Sequence, residues 1–189
     1  MAKIIKMAFY LIFVGALVIS VMSYNPLLTY TLRFKKMQVF HNISMSDYKI
    51  DRYKEGEFIN AKIKINSKEL INKLIAVFYR CDSDGINCEY FQTWTFSNVC
   101  NQLKEKNQVW SRFSDAFDPP FICPINKVSY QIKNATIDVE AALLLYPLAT
   151  DYQWKVNPKF YSDDIFVGSA ITEFYFFGYR KKIKSILKL

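Results

Sequence analysis

The eight residues Cys81-Asp82-Ser83-Asp84-Gly85-Ile86-Asn87-Cys88 constrain the fold more than any other stretch. Asp-Gly is a favoured pair for a two-residue hairpin turn, because both central positions of that turn require positive φ. With Asp84-Gly85 as the turn, Ser83 faces Ile86, Asp82 faces Asn87 and Cys81 faces Cys88. Opposed residues on paired antiparallel strands have Cα separations that a disulfide tolerates. The spacing therefore predicts a hairpin closed by Cys81–Cys88. That leaves Cys100–Cys123 as the second pair, although four cysteines formally allow three connectivities. No metal is expected. There is no CxxC pair, His41 is the single histidine, and the Asp82/Asp84/Gly85 cluster lacks both the sixth-position glycine and the later glutamate of a calcium-binding EF-hand loop.

The flanking sequence reads as strands. Phe58–Ile65 alternates, with Ile59, Ala61, Ile63 and Ile65 on one face and Asn60, Lys62 and Lys64 on the other. Ser67-Lys68-Glu69 is read as a turn and the apolar run Leu70–Arg80 as the next strand. Glu89–Phe96 alternates again, placing Tyr90, Gln92, Trp94 and Phe96 together. From Ser97 the period changes: Val99, Leu103, Trp110, Phe113 and Phe117 recur among polar residues. That spacing predicts a single helix, capped by Ser97 or Asn98 and stopped by Asp118-Pro119-Pro120. Val128–Ile132, Asp151–Tyr161 and Ile171–Tyr179 complete the strands, the last with aromatic residues on both faces. Ile137–Leu145 fits either a bulged strand or a short helix. Many short strands punctuated by turns favour an all-β sandwich or barrel with one inserted α-helix over an α/β fold.

The compartment follows from the ends and the sequons. Lys3 and Lys6 precede the apolar run Met7–Met22, and Val21-Met22-Ser23 fits a cleavage site. The run is about 16 residues, short of the roughly 20 that a spanning helix needs. Residues 1–23 are therefore expected to be a cleaved signal peptide and 24–189 a single secreted domain that does not span the membrane. Losing Lys3 and Lys6 lowers the formal charge from +8 to +6. Part of the remaining excess is the tail Arg180-Lys181-Lys182, Lys184 and Lys188, read as a solvated terminus. Asn42-Ile43-Ser44 and Asn134-Ala135-Thr136 are acceptors for N-glycosylation. No nucleic-acid motif is present.

Catalytic patterns are weak. A Ser-His-Asp site would have to use His41, and Gly168-Ser169-Ala170 is only a fragment of a nucleophile elbow. Asp163-Asp164 are adjacent, unlike the separated carboxylates of a glycosidase. No enzyme and no cofactor are expected. The positive signal is the aromatic content, 17% of the chain. A surplus of rings on both strand faces points to an apolar cavity or an adhesive surface. Trp94, Phe96, Trp110, Phe121, Trp154, Phe174 and Phe176 are the candidate pocket residues, for a hydrophobic small molecule or lipid held between two sheets.

A resemblance bears on the same point. Ser97-Asn98-Val99-Cys100 with the segment after it, then Phe121-Ile122-Cys123-Pro124-Ile125 and Tyr130-Gln131-Ile132-Lys133-Asn134-Ala135-Thr136-Ile137-Asp138, resembles insect secreted proteins related to the ganglioside GM2 activator and to MD-2-type lipid-recognition domains, nearest the chemosensory Che branch of flies. It covers roughly residues 70–179, and the order cysteine, helix, Cys-Pro, strand, sequon is its most specific part. The resemblance implies an immunoglobulin-like β-sandwich of the MD-2-related lipid-recognition type, whose sheets part around a hydrophobic pocket. It further implies a lipid-binding, non-enzymatic role in insect chemosensation, for a pheromone or cuticular hydrocarbon. Two cysteine pairs are fewer than the GM2 activator has, which leaves pocket shape and lipid choice open. The alternative is an interaction protein that binds a chemosensory receptor or ion channel without carrying a ligand.

Overall fold

The computed structural model describes residues 28–53, 55–66, 71–122, 125 and 128–180. The expected leader at 1–23, the expected turn at Ser67–Glu69, Cys123 and the tail from Lys181 onward lie outside the described residues. The strands are β1 (Thr29–His41), β2 (Ile43–Tyr53), β3 (Gly56–Ile65), β4 (Lys73–Cys81), β5 (Glu89–Phe96), β6 (Phe117–Asp118), β7 (Ser129–Ala135), β8 (Gln153–Ser162) and β9 (Ile165–Tyr179). They form two antiparallel sheets, sheet one in the order β1-β9-β8-β4-β5 and sheet two in the order β2-β3-β7-β6. The sheets face each other across one apolar core. Leu32, Phe34 and Phe176 enter it from sheet one, and Ile59, Tyr130 and Ile132 from sheet two. Each such side chain, buried fully, contributes about 2 kcal/mol of transfer free energy.

β3 obeys its alternation: Glu57, Ile59, Ala61, Ile63 and Ile65 are all buried, and the residues between them are not. Glu57 is the exception to the apolar rule on that face. It accepts the backbone N–H of Phe34 in β1 at 2.6 Å, and its Oε1 lies 3.3 Å from both Arg33 and Arg52. This carboxylate is a polar link from sheet two to sheet one.

β1 and β2 are long strands that the sequence pattern does not reveal, joined at Asn42 where the chain passes from the edge of sheet one to the edge of sheet two. The reason is a change of phase in each strand. In β1 the inward residues are Leu32 and Phe34, then Met37 and Val39, because the register shifts between Phe34 and Lys36. In β2 they are Ile43 and Met45, then Tyr48 and Ile50, with a shift between Ser46 and Lys49 and positive φ at Asp47. A bulge moves every later side chain to the other face, so the period-two signal in the sequence breaks. β9 likewise starts at Ile165, six residues before the expected Ile171. Its early half carries Gly168, Ser169 and Ala170, small residues that resemble a loop. Gly168 is small for a packing reason: a Cβ there would lie 3.0 Å from Ile43 Cγ1 and from the Phe40 carbonyl oxygen.

The expected single helix is two short ones, α1 (Val99–Gln102) and α2 (Ser111–Ser114), and Phe117 belongs to β6. Asn98 caps α1, its side chain accepting from the backbone of Asn101. Between Leu103 and Val109 there is no apolar residue to anchor a continuous stripe, and Asn107 has φ 60°, which ends a right-handed helix. The ambiguous stretch Ile137–Leu145 resolves as a helix, α3 (Val139–Leu145), capped by Asp138. A 3-10 turn at Pro147–Asp151 leads into β8. Among the described residues no helix is long and apolar enough to cross a membrane.

The Cys81–Cys88 disulfide is present, but the turn is displaced by one residue. Gly85 N–H donates to the Asp82 carbonyl at 2.8 Å, and Asp82 N–H donates to the Ile86 carbonyl at 3.0 Å. Ser83-Asp84 are therefore the turn centre, with Gly85 following at φ 79°. This is the three-residue loop closed by a left-handed glycine, not the two-residue turn. Asn87, at φ 51°, absorbs the odd residue and donates from Nδ2 to Asp82 Oδ2 at 2.8 Å, so Cys88 still meets Cys81. Cys100 is disulfide-bonded as well; its expected partner Cys123 is outside the described residues.

Candidate functional site

Opposed residues on paired strands share a face. On the inner face of sheet one, Phe78 lies opposite Val156, and Val156 opposite Thr172. Trp94 lies opposite Ala76, and Ala76 opposite Pro158; Phe96 lies opposite Leu74, and Leu74 opposite Phe160. Small Ala76 thus sits between larger side chains. The rings form a chain: Phe78 to Trp94 at 4.6 Å between centroids, Trp94 to Phe96 at 6.5 Å, and Phe96 to Trp110 at 5.6 Å. Trp110 reaches the chain from the start of α2, its Nε1 donating to the Gln102 carbonyl at 3.4 Å.

These rings remain half-buried. Among the described residues, Phe78, Trp94, Phe96 and Trp110 pack on one another, and neither they nor Val156 pack on the buried core cluster. The sheet architecture accounts for this. The sheets meet where β1 lies on β2 and β3. From there sheet one continues to β5, a strand of eight residues, whereas sheet two ends in β6, a strand of two.

The seven sequence candidates divide accordingly. Trp94, Phe96 and Trp110 come together in the half-open chain. Trp154 is 4% exposed, and its Nε1 donates to the Ala149 carbonyl at 2.8 Å. It is packed among Phe91, Tyr146 and Tyr152. Phe174 lies opposite Trp154 and touches Phe34, and Phe176 is buried beside it. Phe121 belongs to a separate cluster with Phe117 and Tyr130 of sheet two. Phe78 and Val156 were missed. Both strands that carry them are apolar on both faces or mixed, so alternation gave no sign of which side they occupy.

The expected face of β5 needs one correction. The register shifts between Phe78 and Tyr79, so Tyr90 lies opposite Tyr79 on the outer face and is 62% exposed. The extra residue, Phe91, turns inward onto Trp154 instead.

Residues considered for catalysis have structural neighbours. Asp163 Oδ1 accepts from Asn72 Nδ2 at 2.7 Å, and Asp163 N–H donates to Asn72 Oδ1 at 2.8 Å. Asp164 pairs with Lys73 at 3.1 Å. His41, at φ 67° in the β1–β2 turn, sets its ring edge-on to Phe166 at 4.8 Å. Among the described residues no group of three or more His, Cys, Asp or Glu side chains converges as a metal site. Tyr48 is the one perturbed phenol near the buried carboxylate. Burial raises its pKa, the Glu57 charge adds to the rise, and Arg52 opposes it.

Both sequon asparagines are exposed, Asn42 in the β1–β2 turn and Asn134 at φ 53° in β7. Two surface depressions are present. One, of about 680 Å³, is lined by Tyr53, Glu55, Gly56 and Phe58. The other, of about 520 Å³, lies along Gln38–His41 and Ile43–Met45. None of the seven ring candidates lines either. An apolar ridge stands on α3 and the following turn, where Leu144 is 84%, Leu145 65% and Leu148 41% exposed. No protein-family model matches the chain, and no curated protein matches its sequence.

Proposed function

We propose that this chain is a non-enzymatic binding protein for a hydrophobic small molecule or lipid, seated on the inner face of β4, β5 and β8. The observation that carries the reading is the half-buried ring chain Phe78-Trp94-Phe96-Trp110, on a face that a filled sandwich would cover. Such a face gains by receiving an apolar ligand: each buried methylene contributes about 0.8 kcal/mol. A twelve-carbon chain gains on the order of 10 kcal/mol before ordering costs. The Cys81–Cys88 disulfide and the two exposed sequons support an oxidising, secretory setting. The resemblance around Cys100–Asp138 supports the finer statement, an immunoglobulin-like sandwich of the MD-2-related lipid-recognition type serving insect chemosensation.

The test is titration of the full secreted chain with a dansyl-labelled fatty acid, alongside native mass spectrometry of protein from its own tissue. Saturable binding is expected, weakened about tenfold or more by Phe78→Ala or Trp94→Ala, each of which removes more than 1.4 kcal/mol of apolar contact. Leu145→Ser, on the exposed ridge of α3, leaves it unchanged. Absence of probe binding together with absence of a co-purifying lipid sinks the proposal. The ridge of Leu144, Leu145 and Leu148 favours a second reading, docking on a receptor or channel. Under that reading Leu145→Ser abolishes receptor capture while probe binding is absent from the start.

A further inference from the structure

The outer face of sheet one carries a field of cations that the ligand reading does not use. In one row across the sheet, Lys36 of β1 lies opposite Glu173 of β9, Glu173 opposite Lys155 of β8, and Lys155 opposite Tyr79 of β4. Lys159 lies four residues along β8, opposite Ile75 and Ser169. Lys35, the bulged residue of β1, places its Nζ over the Tyr175 ring at 5.7 Å. Strand spacing and rise set Lys36 and Lys155 about 10 Å apart and Lys155 and Lys159 about 13 Å apart on one twisted surface. Among the described residues none of Lys35, Lys36, Lys155 and Lys159 has a carboxylate within ion-pair distance, so Glu173 is the single opposing charge of the row. Sheet two is arranged differently. There Lys49, Lys62 and Lys133 each pair with an aspartate, and among the described residues of its strands only Lys64 does not.

We infer that this face binds an extended acidic polysaccharide, a chain of sulfate or carboxylate groups. Four lysines without carboxylate partners among the described residues, interleaved with tyrosine rings, form a positive potential that collects repeated anions over an area and not at one point. Lysine supplies a mobile point charge suited to that task, where an arginine fork would select one planar anion. The disulfide narrows the occupant. It belongs to an oxidising compartment, which removes nucleic acid and the anionic cytoplasmic leaflet as the opposing surface. The acidic polymer of the extracellular space remains, and a wide, gently twisted sheet face fits an extended chain better than a pocket would.

Heparin is the probe. The full chain is bound to immobilised heparin at several salt concentrations, together with two triple variants of equal charge change. One carries Lys36→Gln, Lys155→Gln and Lys159→Gln; the other carries Lys62→Gln, Lys64→Gln and Lys133→Gln on sheet two. The first is expected to lose about tenfold or more in affinity and to show a shallower salt dependence, since fewer counterions are released. The second changes less than about twofold. The single variant Lys159→Gln, at a half-exposed position, gives a partial loss and guards against a triple variant that fails to fold. Equal losses in both triples overturn the assignment, because net charge alone then explains the binding. So does loss only when Lys181, Lys182, Lys184 and Lys188 are neutralised. Equal or tighter binding of polyglutamate assigns the face to an acidic peptide and overturns it too.

Discussion

Replacing Glu57 with alanine removes the one carboxylate that is buried between the two sheets among the described residues, and the expected cost is calculable from its contacts. Glu57 is 3% exposed. Its hydrogen bond from the Phe34 backbone, at 2.6 Å, is charge-assisted and buried, worth about 2 kcal/mol with the orphaned N–H counted. Arg33 is 16% exposed at the side chain, but it keeps the Tyr53 carbonyl at 2.9 Å and the Phe177 ring at 5.3 Å. Losing Glu57 there costs about 1 kcal/mol. Arg52 is 66% exposed at its side chain and contributes close to nothing. The sum, about 3 kcal/mol, corresponds to a fall of roughly 6–12 °C in melting temperature for a domain of this size. Urea unfolding followed by tryptophan fluorescence, with Glu57→Ala paired in double-mutant cycles with Arg33→Ala and Arg52→Ala, measures each part. A coupling larger for Arg52 than for Arg33, or a total under about 1 kcal/mol, refutes the claim that burial sets the strength of this link.

Two further outcomes follow from single residues. The Tyr48 hydroxyl is buried without a hydrogen-bond partner among the described residues, so Tyr48→Phe is expected to stabilise the fold by about 1 kcal/mol. Because burial, then Glu57, raises the Tyr48 pKa in the folded state, the unfolded chain gives up this proton first. Stability is then intact below the ordinary tyrosine pKa of about 10 and falls as pH rises from there toward the folded value. Tyr48→Phe should flatten that part of the decline in urea melts between about pH 9 and 11, and an unchanged slope removes the effect. Cys81→Ser with Cys88→Ser opens a loop whose ends are 7 residues apart in sequence, at a cost of about 2.5 kcal/mol by chain entropy. A loss under about 0.5 kcal/mol in the same melts means that other contacts already restrict the loop.

What the sequence makes legible is local. The alternation of β3, the limits of β5, the Asn98 cap and the Cys81–Cys88 closure are each encoded within ten residues, where pattern and geometry coincide. β1 and β2 were hidden because Lys35 and the Ser46–Lys49 irregularity each shift the inward side by one position. A reader counting twos finds Leu32 and Phe34, then loses the thread at Met37. The displaced turn at Ser83-Asp84 has the same origin: Asn87 accepts a left-handed conformation, and one extra residue is accommodated without breaking the disulfide. Bulges and left-handed residues cost the fold little and cost the pattern everything.

The site is legible only as a surplus of rings, and the reason is architectural. Trp154 and Trp94 are the same residue type on the same face of sheet one, yet one is sealed and the other half-open. No property of either segment separates them. The difference lies in what stands opposite: α3 and the turn after it supply the Ala149 carbonyl over Trp154, whereas sheet two thins to the two residues of β6 toward the side where Trp94 faces. Exposure of an inner-face ring is thus set by the width of the other sheet, a quantity spread over the whole chain. If a ligand takes the place of the missing strand, the rings that bind it should be those that no second sheet reaches, Phe78, Trp94, Phe96 and Trp110, and the sealed Trp154 should matter to stability and not to affinity.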